Sequence, residues 1–287
     1  MGLIKTAWAI CLQDLRKWAA DYRMWTIAAL LIIITRIYAD DMQRVADMLG
    51  TRTSVWIFPF LYAQFHTKMI FTLPVVLMFC NAPFTDKNQI FVYTRTGRVR
   101  WLLGQIIYIF IASAIYYLFI LTVSVASTVF NAELSLEWGK TLNMTAFSDA
   151  AQQAGSFYLD VPPLIIELFT PLQAVGLTLL TSWLSAVLLG LVVFFCNLAS
   201  ETRFIGIIIA SALVVWTVLV DHDGFKELLR FSPISWNTLD NIDAGGMTSN
   251  PSFGYCMCVY AVLISALIIG IFVFGRKKSL DVKGDRL

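Results

Sequence analysis

The chain has 287 residues, of which 58% are hydrophobic and only 14% charged, and its net charge is +2. A soluble domain of this length carries nearer a quarter charged residues, so a water-soluble globular enzyme is excluded. Nothing supports nucleic-acid binding, and the five cysteines (Cys11, Cys80, Cys196, Cys256, Cys258) make neither a disulfide framework nor a zinc pattern.

Residues 3–22 read as an amphipathic helix. Ile4, Trp8, Cys11, Leu15, Trp18 and Tyr22 recur at steps of four and three, which keeps them on one stripe. Lys5, Gln13, Asp14, Arg16 and Lys17 lie largely off that stripe. Trp8, Leu15 and Trp18, with cations beside them, suit a helix lying in a membrane interface. The charges at Asp14, Arg16, Lys17 and Asp21 break any cleavable signal sequence.

Six apolar runs follow, at 24–39, 69–85, 101–130, 171–198, 204–220 and 255–275. Each is near the length a helix needs to cross a hydrocarbon core of ~30 Å. Asp40–Thr53 reads as a polar loop after the first run. Val55–Ala63 is aromatic and leads into the second, with His66 and Lys68 at its mouth. Residues 86–100 join the second and third runs. Residues 131–170 form a large acidic insertion, punctuated by Pro162, Pro163 and Pro171, with a short helix at Leu164–Phe169 that carries Glu167. Ala199–Arg203 makes a tight hairpin between the fourth and fifth runs. Residues 221–254 form a second insertion, in which Phe225, Leu228, Leu229 and Phe231 predict an interfacial helix ending at Ser232-Pro233.

Charge sorts the two sides. Fourteen of the 21 Lys and Arg, but only six of the 19 acids, fall on the side of the termini and the 86–100 loop. The positive-inside rule places that side, and both termini, in the cytoplasm. The expected fold is therefore all-α: one polytopic domain over 1–287 in the cell membrane, with six transmembrane helices. Residues 1–23 form its interfacial helix, and 131–170 and 221–254 lie outside.

Motifs for chemistry are missing. Gly139-Lys140-Thr141 ends like a phosphate-binding loop, but Leu134 stands where the upstream glycine is required. There is no HExxH and no GxSxG, and His66 and His222 are the only histidines, so no catalytic residue, metal ligand or cofactor is assigned. The apolar runs carry uncharged polar residues rather than mid-depth carboxylates, which leaves a proton relay without its groups. Such an interior suits hydrophobic or amphipathic cargo, and His66, Lys68, Glu167 and Gln173 are the candidate residues along its path. In the fourth run Thr181, Ser182, Ser185, Gly176, Ala186 and Gly190 make a small-residue tract suited to close helix packing.

The 86–100 loop is the strongest positive signal. It sets Ile90, Phe91 and Tyr93 beside Arg95, Arg98 and Arg100 around a break at Gly97. Aromatic anchors with a charged rim suit docking to a cytosolic partner.

The stretch Arg95-Thr96-Gly97-Arg98-Val99-Arg100-Trp101-Leu102-Leu103-Gly104 resembles the loop-to-span sequence of ABC-2-type permeases, the membrane subunits of ATP-binding-cassette exporters. The segment Ile4–Tyr22 resembles their connecting helix, and Phe225–Leu239 their short outer helices. The resemblance implies six helices per subunit and a second permease, identical or paralogous. It also implies a cytosolic ATPase that carries ATP and magnesium and is coupled through Ile90, Phe91, Tyr93, Arg95, Gly97, Arg98 and Arg100. The outer loops are larger than a minimal member needs. Two rival readings are a membrane sensor or immunity protein that binds a peptide through its outer loops, and a membrane-embedded lipid enzyme.

Overall fold

The computed structural model describes residues 2–82, 95–133, 135–156, 158–200, 202, 204–221, 223–246 and 248–277. Its α-helices are α1 (Leu3–Arg16), α2 (Tyr22–Leu49), α3 (Phe65–Phe79), α4 (Arg98–Thr128), α5 (Gly139–Phe147), α6 (Ala150–Gln153), α7 (Pro163–Leu168), α8 (Pro171–Ser200), α9 (Ile205–Val220) and α10 (Phe253–Lys277). Helices α2, α4, α8 and α10 are long and apolar enough to cross a membrane. Helices α3 and α9 are apolar but only 15 and 16 residues long. At 1.5 Å per residue they span ~22–24 Å, short of a ~30 Å core. Six full spans in the sequence reading thus become four long apolar helices and two short ones.

Helix α8 is the hub and packs against α3, α4, α9 and α10. It carries apolar residues on every side, as a helix surrounded by others must. Its small-residue tract lets neighbours close in: a Cβ on Gly190 would lie 2.7 Å from Ile109 of α4 and 2.9 Å from Phe79 of α3. Helix α10 is peripheral and leaves Val262, Ile269, Val273 and Phe274 exposed.

Helix α2 does not stop where hydropathy fades. Asp40–Thr53, read as a loop, is helical as far as Leu49. Met42, Val45 and Ala46 keep a buried face at helical spacing, while Arg36–Asp40, Asp41–Arg44 and Gln43–Asp47 pair along the helix. Gly50, at φ 63°, supplies the left-handed stop.

The 131–170 insertion folds onto this extension. Asp41 accepts hydrogen bonds from the Ser156 hydroxyl at 3.0 Å and the Tyr158 amide at 3.3 Å. Two-residue strands β1 (Thr53–Ser54) and β2 (Ala132–Glu133) pair in parallel, a small departure from the all-α expectation. The expected helix at Leu164–Phe169 is present as α7. The expected interfacial helix at 225–231 is instead a run of 3-10 turns over Asp223–Phe231, kinked at Phe225. A second 3-10 turn, Pro233–Asn237, enters the bundle: Trp236 is fully buried and its indole N–H donates to Leu229 O at 2.8 Å.

Asn197 closes the α8–α9 hairpin. Its amide donates to Ala82 O at 2.6 Å and its Oδ1 accepts from the Gly206 N–H at 2.8 Å. A Cβ on Gly206 would meet Val193 O and Asn197 Oδ1 at 2.5 Å, and the first of these is backbone. Gly206→Ala is expected to destabilise the fold by about 1–3 kcal/mol through this clash. Gly176→Ala, within α8 and with nothing within 4 Å of the new methyl, is expected to be neutral or stabilising. Thermal unfolding of the two variants in the same detergent checks the contrast.

Candidate functional site

Among the described residues, α1 docks on the start of α4 through close packing and several polar contacts. Gly97, at φ 82°, breaks the chain directly before α4, as its place in the sequence predicts. Trp101 then turns inward, 1% exposed, with its ring edge-on to Phe194 of α8. One turn on, Gly104 leaves room for α1: a Cβ there would lie 2.8 Å from Ile10 Cβ and 3.1 Å from Ala7 O.

Beside this contact the Asp14 carboxylate is 4% exposed. It accepts from Gln105 Nε2 at 2.7 Å and from Lys17 Nζ at 2.7 Å. A buried carboxylate is tolerated only when it is paired and hydrogen-bonded, and here both conditions hold. The Trp18 indole N–H donates to the Tyr108 hydroxyl at 2.8 Å and completes the seam. Burial and the neighbouring Asp14 carboxylate push the Cys11 thiol up to about 11.

The docked face differs from the expected stripe. Ala7, Ile10, Cys11 and Asp14 are buried, whereas Ile4, Trp8 and Tyr22 are 72%, 48% and 76% exposed. Leu15 and Trp18 pack against the core from its edge. Helix α1 therefore has two apolar faces: one on α4, and one made by Leu3, Ile4, Trp8 and Leu12 that stays open. The reason for the rotation is Gly104 with Gln105, which together accept a branched side chain and a carboxylate. The hydropathy stripe leaves Asp14 off the buried side.

Of the residues expected to couple to a partner, Arg95, Gly97 and Arg100 are exposed and Arg98 is half-buried at this same end of the bundle. Ile90, Phe91 and Tyr93 lie outside the described residues. Arg23 at the foot of α2 reaches Cys80 Sγ at 3.2 Å, which ties α2 to the end of α3.

The candidate path residues at the opposite end have separate duties. Lys68 is 1% exposed and its ammonium sits 2.6 Å from Asp221 Oδ2. Asn241 Nδ2 donates to the other Asp221 oxygen at 3.1 Å. Asp240, next in the chain to Asn241, is half-buried; that burial holds its carboxyl above the usual range, against the opposing pull of Lys226 and Lys68. Gln173 Oε1 accepts from the Thr170 N–H at 3.1 Å and so caps α8. It also lines an open groove of about 520 Å³ with Leu168, Phe169, Leu172, Gly176 and Leu177. His66 and Glu167 are exposed. Among the described residues no three of His, Cys, Asp and Glu gather as a metal site.

The Asp14–Gln105 and Lys68–Asp221 pairs escape a reading of the sequence, since their partners lie 91 and 153 residues apart. The available signal is weak: a lone Gln inside an apolar run beside a Gly, and a lone Lys at the mouth of another. The chain matches no family model, no curated protein and no solved structure.

Proposed function

We propose that this chain is the membrane permease of an ABC-2-like exporter. In this reading two six-helix chains, identical or paralogous, surround a path for hydrophobic or amphipathic cargo. ATP and magnesium are handled by separate cytosolic ATPase subunits, and both termini face the cytoplasm of a cell-membrane protein. The observation that carries the reading is the α1–α4 seam. An amphipathic helix is locked to the first turns of α4, immediately after the Gly97 break and the exposed Arg95 and Arg100. A push on residues 86–100 has two packed routes into the bundle, through Trp101 to Phe194 of α8 and through Leu102 to Gly275 of α10. Closure of the ATPases on ATP then biases the bundle between two arrangements, which is what expulsion of cargo requires.

Replacing Ile90, Phe91, Tyr93, Arg95, Arg98 and Arg100 with Ser or Gly is expected to abolish export while membrane expression is kept. Wild-type export from that variant would contradict the reading. The folded 131–170 insertion favours a second reading, a sensor or immunity protein that binds a peptide there; inner-loop changes would then be silent and insertion changes would not.

A further inference from the structure

The bundle core holds a cluster of polar side chains to which neither the seam nor the path assigns a role. Tyr62, Tyr117, Ser182, Ser185, Asn237 and Tyr260 are all 0% exposed. The Tyr62 and Tyr117 rings are 6.2 Å apart, and the Tyr62 hydroxyl faces Ser182. Ser185 Oγ lies 2.5 Å from Asn237 Oδ1 and 2.7 Å from the Tyr260 hydroxyl. Tyr260 in turn donates to Pro233 O at 2.5 Å.

Most of this cluster is not satisfied. Tyr62 OH, Tyr117 OH, Ser182 Oγ and Asn237 Nδ2 have no hydrogen bond of good geometry, and Thr178 Oγ1, one turn from Ser182, has none either. Thr178 and Ser182 can swing back to a carbonyl of their own helix. The Tyr117 phenol and the amide cannot, and the Tyr62 phenol has only Ser182 to turn to. Turning the Asn237 amide over only exchanges which of its ends lacks a partner. Buried polar groups in folded proteins almost always have partners, because each one left without costs the full loss of its hydration.

We propose that this cluster is an internal hydration site, which binds ordered water between α4, α8, α10 and the 58–62 and 233–237 turns. Its chemistry fits water and little else. Hydroxyls that both donate and accept surround an amide donor, so a water there finds the two to four partners it needs. No charged side chain belongs to the cluster, so nothing in it calls for an ion. Complete burial limits the guest to the smallest polar molecule. Tyr117, Ser182 and Tyr260 sit roughly 10–17 Å along their helices from the insertion end, so the water lies inside the bundle. The inference does not rest on the transport reading.

X-ray radiolysis of the full-length chain in lipid nanodiscs tests it, with mass spectrometry of the modified side chains. Radicals made from bound water modify the residues beside that water, even where bulk radicals cannot reach. Tyr62 and Tyr117 are expected to be modified several times faster than Phe79 and Phe194, which are equally buried in apolar surroundings. In ¹⁸O water the added oxygen is expected to carry the label. Modification at the rate of the two phenylalanines would overturn the proposal. Tyr62→Phe is expected to lower both the melting temperature and the labelling of Tyr117. An unchanged or raised melting temperature would also overturn it, since deleting an unpartnered hydroxyl from a dry site carries no penalty.

Discussion

Asp221→Ala is expected to cost about 3–5 kcal/mol of stability, the largest effect of any single substitution at the insertion end. Lys68 is 1% exposed and Asp221 15%, and their charged atoms are 2.6 Å apart. Removing the carboxylate strands an ammonium among apolar helices and also frees Asn241 Nδ2, which bonds the second carboxylate oxygen. Lys68→Met alone is expected to cost a similar amount for the mirrored reason. The double variant Lys68→Met/Asp221→Leu removes both charges and is expected to recover most of the loss, because a buried pair often breaks even against apolar residues of like volume. Unfolding of the four proteins in one detergent gives the full cycle. Two harmless single variants would show that the pair does not hold α3 and α9 together.

Gly104→Leu is expected to unseat α1 and, in the proposed function, to uncouple export. The new side chain has to enter space now held by Ile10 and by the Ala7 carbonyl, and the second of these is backbone. Overpacking of this kind costs about 1–3 kcal/mol, and lifting one helix off a face is the easiest relief. Cys11 reports the event. In the docked state its thiol is pushed up to about 11, so it reacts slowly with maleimide near neutral pH and faster only as the pH climbs toward that value. Undocking removes the burial, the larger of the two causes; Asp14, three residues on in the same helix, stays beside the thiol but is then screened by solvent. A thiol returned to about 8.5 holds on the order of a hundredfold more thiolate near pH 7.5, and labelling rises accordingly. Equal Cys11 labelling in wild type and Gly104→Leu would show that the seam does not govern this helix. A variant with labelled Cys11 and full export would separate the seam from the function.

The long apolar helices were legible because hydropathy runs measure length directly. Gly97 marks a chain break that backbone chemistry makes readable. What could not be read depends on pairing at a distance. The face α1 buries is decided by Gly104 and Gln105, more than 90 residues from Ile10 and Asp14, so a one-dimensional stripe put Asp14 on the wrong side. The extension of α2 through Asp40–Leu49 was hidden because its charged residues interrupt the hydropathy run. Their helical support comes from pairs three and four apart, and from an insertion that packs on Asp41 from 115 residues away. Lys68 read as a free cation at the mouth of a path. Only the fold reveals that Asp221 neutralises it.

The most direct test of the proposed function is a mild-detergent purification of the tagged full-length chain, with mass spectrometry of what accompanies it. The expected result is a soluble protein with a Walker A motif that is lost when Ile90–Arg100 is scrambled or when Gly104→Leu unseats α1. A folded chain that repeatedly brings down no ATPase would contradict the permease reading and turn attention to the 131–170 insertion.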